Sequence, residues 1–258
     1  MKKAIISLNI TTGSYRMFID NILALINDVT SCYICVANVH MLVEAYNDPR
    51  FASIVNKSVM TTPDGMPLVW SMNILHGIKQ DRVAGMDLLP DLLKETSEKQ
   101  IPVYFYGGTQ EMLNKTKQFI ITKYPGSVLA GLHSPPFREL TKIEENDIVE
   151  KINQSGAKIL FVALGCPKQE KWMASMKGRI MMPMIGIGGA LPVMVGLQKR
   201  APEWLQKTSL EWLYRLTQEP KRLFKRYAIT NSSFIWLLFK AVVQKKISKR
   251  SPELHPYK

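Results

Sequence analysis

The chain has 258 residues, of which 46% are hydrophobic, and a formal net charge of +13. This length and apolar fraction are typical of a folded domain with a sizeable core, and they exclude a largely disordered chain. Its three cysteines, an odd number, argue against a disulfide framework and favour a reducing compartment. We therefore expect a cytoplasmic protein.

Short apolar runs rich in β-forming residues recur along the chain. The first, AIISL at 4–8, ends too early for a signal peptide, so we predict an N-terminal β-strand there. Cys32 and Cys35 form a C-x-x-C, but they lie in a strand-like run and should point to opposite faces, which argues against a metal or redox site. The remaining predicted strands span 33–37, 58–61, 102–106, 127–131, 158–164 and 182–187.

Stretches with helical spacing separate most of these strands. The clearest is TKIEENDIVEKINQSG, in which Thr141 and Glu144 form a capping box, Ile148 and Ile152 share a face, and Gly156 ends the helix. Strands that alternate with helices are typical of an α/β fold. We predict a Rossmann-like, mostly parallel sheet flanked by helices.

The residues that follow the predicted strands are unusually polar or glycine-rich. Ligands of a parallel sheet bind beyond the carboxyl ends of its strands, and backbone N–H groups in glycine turns before a helix can cradle a phosphate. Two glycine turns of this kind occur, at residues 107–109 and 186–190. Neither turn matches a P-loop or a dinucleotide fingerprint, so we predict another kind of nucleotide diphosphate as the ligand. The candidate binding residues are Asn38, Gln169, Gly107, Gly108, Gly186, Gly188 and Gly189.

Asp64 lies in TTPDGMPLVW, between a proline and a glycine. A triplet of this kind is ordinary turn chemistry. At the end of a strand, however, the carboxylate could also take a proton from an incoming hydroxyl as a general base. Arg82, in DRVAG, could offset the charge of a diphosphate at the same edge or simply face solvent.

The positive charge is concentrated at the C-terminus. Residues 199–258 hold 14 lysines and arginines against four acidic residues, and three of the five tryptophans. Their most apolar run, FIWLLFKAVV at 234–243, is shorter than the roughly 20 residues that cross a bilayer. The segment could be an interfacial membrane helix, a nucleic-acid patch or an ordinary packed helix. We predict an α/β domain over 1–198 and a basic amphipathic, membrane-docking appendage over 199–258.

Six motifs together resemble the WecG/TagA/CpsF family, glycosyltransferase family 26. They run in order from about residue 33 to 240: TPDGMPLVW, DRVAGMDLL, VYFYGG, LGCPKQEKWM, IGIGGA and LEWLYRLTQEPKRLFKRY. The resemblance implies an inverting transfer of a sugar from a UDP-sugar to a polyprenyl-diphosphate-linked sugar, in the synthesis of teichoic acids, capsules or exopolysaccharides. Donors in the family carry N-acetylmannosamine or glucose.

The resemblance also implies roles for particular residues. Asp64 corresponds to the family's base, and Asn38 to an asparagine near that base. Arg82 corresponds to the arginine of the RVAG motif and Gln169 to the glutamine of PKQE, and all three are predicted to bind substrate. Arg215, Arg222 and Arg226 correspond to basic residues that cover the diphosphate. The chain departs from the family at Val36, where threonine is frequent, and at Leu191-Pro192, where Phe-Asp is usual.

No Asp-x-Asp pair is present in the sequence, so we predict a metal-independent enzyme without a cofactor. Its predicted partners are the UDP-sugar, the lipid-linked acceptor and the anionic inner face of the cell membrane, with self-association left open. Two other functions are compatible with the charge: a nucleic-acid-binding module and a non-catalytic partner of a membrane synthase. We expect no nucleic-acid partner, because no helix-turn-helix, zinc-finger or RRM signature occurs.

Overall fold

A computed structural model of the chain describes residues 1–28, 31–207 and 210–250. Its centre is a six-stranded, fully parallel sheet with the strand order β4-β3-β8-β7-β5-β6. The predicted α/β fold is confirmed. The strands predicted at 58–61 and 127–131 each end two residues later than expected, at Pro63 and His133. Asp64 therefore directly follows the first of these strands, β4. The sheet strands are β3 Cys32–Ala37, β4 Met60–Pro63, β5 Val103–Gly107, β6 Leu129–His133, β7 Ile159–Ala163 and β8 Pro183–Gly186.

The N-terminal strand differs from the prediction. Residues Lys2–Ile5 and Leu8–Thr11 form an antiparallel hairpin, β1 and β2, outside the main sheet. The chain reverses inside the apolar run because Ile6 has a φ of 56°, a conformation that β-branched residues rarely adopt. Ser7 anchors the turn, since its hydroxyl donates to the Leu42 carbonyl at 2.7 Å. Tertiary contact, and not a turn residue such as glycine, therefore fixes this hairpin.

Helices cover both faces of the sheet, and alternate strand residues line two apolar layers. In β3, Tyr33 and Cys35 pack in one layer while Ile34 and Val36 pack in the other. The helices are α1 Tyr15–Asn27, α2 Val39–Asn47, α3 Pro49–Asn56, α4 Met66–His76, α5 Gly85–Glu98, α6 Gln110–Lys123, α7 Lys142–Gln154, α8 Lys168–Met176, α9 Ala190–Met194, α10 Glu203–Lys207, α11 Glu211–Gln218 and α12 Pro220–Arg250.

Helix α7 begins where the sequence predicts. Thr141 is its N-cap, and the reciprocal bonds between Thr141 and Glu144 complete the capping box. Gly156, just beyond the helix, has a φ of 77°, which glycine adopts without strain. Local sequence chemistry thus fixes both ends of this element.

The long helix α12 packs along α2 and α4. One of its faces is buried and includes Leu223, Phe234 and Leu237. Lys245, near its end, donates from Nζ to the carbonyls of Ile74 and Leu75 in the last turn of α4. None of the helices in the described part of the chain is long and apolar enough to cross a bilayer.

A second face of α12 is exposed although it is apolar. It carries stacked aromatic rings, those of Trp236 and Phe239, with centroids 6.0 Å apart. Ile235 and Ile247 are exposed as well. The helix therefore has one apolar face against the body and another that is largely exposed in the described part of the chain. Residues 251–258, the end of the predicted appendage, lie outside the described residues.

Candidate active site

All six sheet strands run parallel, so their carboxyl ends lie at one edge of the sheet, here called the carboxyl edge. Asp64 leaves this edge directly after β4. Its backbone N–H donates to the carbonyl of Ala37 at the end of β3, 2.7 Å away, and Gly65 follows with a φ of 106°. Only glycine adopts such a backbone readily, so the Asp-Gly turn fixes where the carboxylate leaves the sheet.

The loop that carries Arg82 lies beside this turn. Val83 donates from its backbone N–H to the carbonyl of Pro63 at 2.9 Å, and Thr62 donates from its hydroxyl to the carbonyl of Val83 at 3.2 Å. These bonds join the loop to the end of β4. They place Arg82 beside the turn that carries Asp64, close enough for its charge to act on that carboxylate.

Asp64 is a half-buried carboxyl group among charges of both signs. Burial first, and then the Glu211 carboxylate, raise the pKa of Asp64 to about 7, against the opposite effect of Arg82 and Arg215 and with a smaller contribution from Asp87. A group that titrates near neutral pH is suited to general acid–base chemistry, because it both accepts and releases a proton there. An isolated surface turn would not show this electrostatic environment.

Arg82 lies between two carboxylates. Its Nη2 atom donates to Asp87 at 3.0 Å, and its Nη1 atom donates to Glu211 at 3.1 Å. Asp87 is in the first turn of α5, and it also pairs with Arg200. Arg82 therefore joins the body to the C-terminal helices, and both terminal nitrogens of its guanidinium already have acidic partners.

The glycine turn after β8 is lined by side chains from two other elements. A Cβ atom on Gly186 would lie 2.8 Å from Nε2 of Gln169, and one on Gly189 would lie 2.9 Å from Nη2 of Arg215. Gly188 has a φ of 39°, and its space is limited by the same Gln169 amide. Two side chains thus approach the turn closely, and a Cβ atom on Gly186 or Gly189 would displace their ends.

Gln169 itself is buried. Its Oε1 accepts from the backbone N–H of Gly165 at 3.2 Å, and its Nε2 donates to Glu170 at 2.7 Å. Burial raises the pKa of Glu170, and also that of the neighbouring Cys166 thiol. The Gln169 amide therefore lies against the glycine turn, with its orientation fixed by these two bonds.

Gly107, the last residue of β5, and Gly108, which follows it, lie farther away. Three strands separate β5 from β4 in the sheet order, a distance on the order of 19 Å at the usual strand spacing. A Cβ atom on Gly107 would lie 2.7 Å from the backbone carbonyl of Ala163, so this glycine allows the close approach of β7. The structure does not bring this pair next to Asp64.

Asn38 and Arg226 lie near the start of α2. Asn38 is the N-cap of that helix, and its Oδ1 accepts from the backbone N–H of Met41 at 3.1 Å. Burial first, and then the nearby charge of Arg226, lower the pKa of His40. The Nε atom of Arg226 is buried and has no hydrogen-bond partner among the described residues. The side chain of Arg222 lies outside the described residues.

The positions that depart from the family pattern are not open polar sites. Val36 is buried in β3, and Leu191 is buried in α9. Within residues 1–28, 31–207 and 210–250, no group of three or more His, Cys, Asp or Glu side chains is placed to hold a metal ion.

Comparison with known proteins agrees with the resemblance carried by the six sequence motifs. The profile of the Glycosyl transferase WecG/TagA/CpsF family matches residues 3–248. The chain belongs to this family. It is therefore a glycosyltransferase, and the resemblance seen in the sequence extends over nearly its whole length.

Three relatives of this WecG/TagA/CpsF protein have the same name, N-acetylglucosaminyldiphosphoundecaprenol N-acetyl-beta-D-mannosaminyltransferase. The relative from Bacillus spizizenii is 31% identical over 193 residues, which cover 74% of this chain and 72% of the relative. The Bacillus subtilis protein is 29% identical, covering 76% and 77% of the two chains. The Staphylococcus aureus protein is 27% identical, covering 84% and 82%.

Three charged residues of this family member were not predicted to belong to the site: Asp87, Arg200 and Glu211. A partial signal was present for Glu211. In LEWLYR, Glu211 and Arg215 are four residues apart, so a helix presents both on one face. Their contacts with Arg82 and Gly189 depend on the tertiary fold and have no local sequence signal.

Proposed function

We propose that the chain transfers N-acetylmannosamine from UDP to an N-acetylglucosamine unit that is linked through diphosphate to undecaprenol. The names of the three relatives support this acceptor and this sugar. The observation that carries the proposal is the environment of Asp64, a half-buried acid whose pKa of about 7 reflects burial and a charged cluster at the carboxyl edge. Glucose is the alternative donor sugar.

In the proposed reaction, Asp64 is the general base. The acceptor hydroxyl loses its proton to the Asp64 carboxylate, and its oxygen forms a bond to the anomeric carbon of the donor sugar. The bond between that carbon and the phosphate oxygen breaks, and UDP leaves with the bonding electrons. Attack on the face opposite to UDP inverts the anomeric configuration.

The leaving UDP develops negative charge, which fixed cations stabilise. Arg215, beside the glycine turn, and Arg226, whose Nε atom lacks a partner among the described residues, are the proposed groups. Arg222 belongs with them by its position in the sequence. Arg82, already held by two carboxylates, acts on Asp64 and on the position of α11. We propose that this stabilisation requires no metal ion.

The membrane supplies the acceptor, so we propose that α12 docks on the inner face of the cell membrane. Its exposed Trp236 and Phe239 are suited to the interface, and exposed lysines on the same helix, Lys240 and Lys246, favour anionic lipids. Docking through this face leaves the opposite face on the body, where Arg226 lies near His40.

The decisive experiment is a donor screen with purified full-length protein. A synthetic lipid-diphosphate N-acetylglucosamine acceptor is incubated with UDP-N-acetylmannosamine, UDP-glucose or UDP-N-acetylglucosamine, and products are identified by mass spectrometry and by the anomeric coupling in NMR. We expect an inverted product from UDP-N-acetylmannosamine, formed equally in EDTA. Activity that is lost in EDTA and restored by Mg²⁺ or Mn²⁺ would refute metal independence. No product from any donor would refute the transfer itself.

Membrane and nucleic-acid binding are measured on the same preparation. We expect sedimentation with vesicles that contain phosphatidylglycerol, weaker sedimentation with neutral vesicles, and no gel shift with DNA or RNA at physiological salt. A strong shift without vesicle binding would favour the nucleic-acid function that the net charge also allows.

A further inference from the structure

Glu211 connects the C-terminal helices to the carboxyl edge of the sheet. It lies in the first turn of α11, and its Oε2 accepts from Nη1 of Arg82 at 3.1 Å. The opposite side of the same guanidinium is held by Asp87 at 3.0 Å. An arginine with a carboxylate on each side has little freedom to rotate. Glu211 thus limits the movement of Arg82, and Arg82 limits the movement of α11.

The same helix positions Arg215. Residues four apart lie on one face of a helix, so the contact of Glu211 with Arg82 fixes the side on which Arg215 lies. Arg215 approaches the glycine turn, with its Nη2 atom 2.9 Å from where a Cβ of Gly189 would be. Helix α11 has no fully buried residue, so its apolar packing alone holds it weakly. The Glu211–Arg82 contact is a polar attachment of its first turn. In its last turn, Gln218 accepts from the backbone N–H of Lys199 at 3.2 Å and donates from Nε2 to the Lys199 carbonyl at 3.1 Å.

The second oxygen of Glu211 has a different environment. Oε1 is buried and has no hydrogen-bond partner among the described residues. The negative charge of Glu211 is thus only partly compensated by Arg82, and it acts on the neighbouring Asp64 as a like charge. The other charged groups that act on Asp64 are Arg82 and Arg215, which oppose this effect, and Asp87, which adds to it.

We infer that Glu211 is a positioning residue of the proposed transfer reaction: it ties α11 to Arg82, holds Arg215 over the glycine turn, and places a second carboxylate beside Asp64. The inference rests on the proposed function for its catalytic consequence, whereas the attachment of α11 stands on the contacts alone. Two substitutions separate these effects. Glu211→Gln keeps an acceptor for Arg82 and removes the charge, while Glu211→Ala removes both.

The first measurement is hydrogen exchange in the full-length protein, and it does not depend on activity. In Glu211→Ala we expect the amides of residues 211–218 to exchange at least about tenfold faster than in the wild type, since local protection follows local stability. Glu211→Gln should fall between the two. Glu98→Gln, which removes one exposed carboxylate at the far end of α5, is the matched charge control and should leave these amides unchanged.

The second measurement is the pH profile of kcat/KM for sugar transfer. Removal of a like charge beside a base lowers its pKa, so the acid limb should move to lower pH by about one unit in both Glu211 variants and stay in place in Glu98→Gln. At pH 8 the alanine variant should also lose about tenfold in kcat, because Arg215 is no longer held, and the glutamine variant should lose less.

The possible results are distinct. Unchanged exchange in Glu211→Ala, or an acid limb that stays in place in both variants, would overturn the inference. A wild-type protein without transfer activity would instead refute the proposed function. In that case the exchange measurement would still decide whether Glu211 holds α11.

Discussion

The body of the protein and its C-terminal helices differ in net charge and in the apolar surface that they expose. The body, residues 1–198, is nearly neutral and buries alternate strand residues in two apolar layers. The segment from residue 199 carries ten of the thirteen net positive charges and exposes Trp204, Trp236 and Phe239. The candidate site lies where the two regions meet. The body supplies Asp64 and Arg82, and the C-terminal helices supply Glu211, Arg215 and Arg226.

This division suggests that the proposed chemistry and the proposed membrane contact can be damaged separately. A substitution at the carboxyl edge should stop turnover without affecting membrane binding. A substitution on the exposed face of α12 should weaken membrane binding without stopping turnover. Substitutions at the junction should change both, and the strength of that coupling measures how far the two regions act as one.

The largest effect is expected at Asp64. Asp64→Asn keeps the shape of the side chain and removes its proton affinity, so turnover should fall about 10²- to 10⁴-fold with little change in UDP-sugar affinity. Steady-state kinetics and calorimetric titration measure the two quantities. Asp147→Asn, an exposed position on α7, is the control and should keep full activity. Near-normal turnover in Asp64→Asn would remove the base from the proposal.

The two faces of α12 provide a matched pair. Phe234 is 6% exposed and Phe239 is 59% exposed, so the same change to alanine tests each face. Phe234→Ala should lower the free energy of unfolding by about 3 kcal/mol, whereas Phe239→Ala should change it by no more than about 0.5 kcal/mol. Phe239→Ala should instead weaken binding to anionic vesicles about tenfold, since an apolar side chain leaves the interface.

Urea unfolding and vesicle sedimentation read out this pair. Equal destabilisation by the two changes would show that the exposed face is packed in solution, for example on a second copy of the chain. Equal neutrality would show that α12 does not rest on the body.

Asp64 should also make stability depend on pH. Its pKa in the folded protein, about 7, lies above the ordinary value of 3.8, so the folded state binds more protons than the unfolded state between these values. The stabilising contribution of this group is present below about pH 4 and is lost as the pH rises through 7. Asp64→Asn does not ionise and avoids this loss.

We therefore expect the stability advantage of Asp64→Asn over the wild type to grow by on the order of 2 kcal/mol between pH 5 and pH 8. Urea unfolding at the two pH values measures it, with Asp147→Asn as the control. An advantage that is equal at both pH values would mean that Asp64 titrates near its ordinary range. Ionisation of Asp64 at the carboxyl edge would then not lower the free energy of unfolding.

The sequence predicts the body better than it predicts the contacts between regions. Alternating strand and helix patterns are local, and so are the Thr141 capping box and the turn at Asp64, which is why these features are confirmed. The reversal at Ile6 contains no turn residue, so it has no local signal. Both faces of α12 are apolar in FIWLLFKAVV, and periodicity cannot tell which one is buried. Arg82 and Glu211 are 129 positions apart, and only the fold brings them together.

The smallest effects are expected from two adjacent lysines, which test the two faces of α12 one charge at a time. Lys245 donates to the last carbonyls of α4, where a cation is favourable, and Lys246 is exposed. Lys245→Ala should lower the free energy of unfolding by about 0.5–1 kcal/mol. Lys246→Ala should leave stability unchanged and weaken binding to anionic vesicles about fivefold, since one basic residue at such a surface contributes on the order of 1 kcal/mol. The vesicle effect should vanish at high salt because it is electrostatic. If Lys246→Ala instead destabilised the fold and left vesicle binding intact, the exposed face of α12 would belong to the body and not to the membrane.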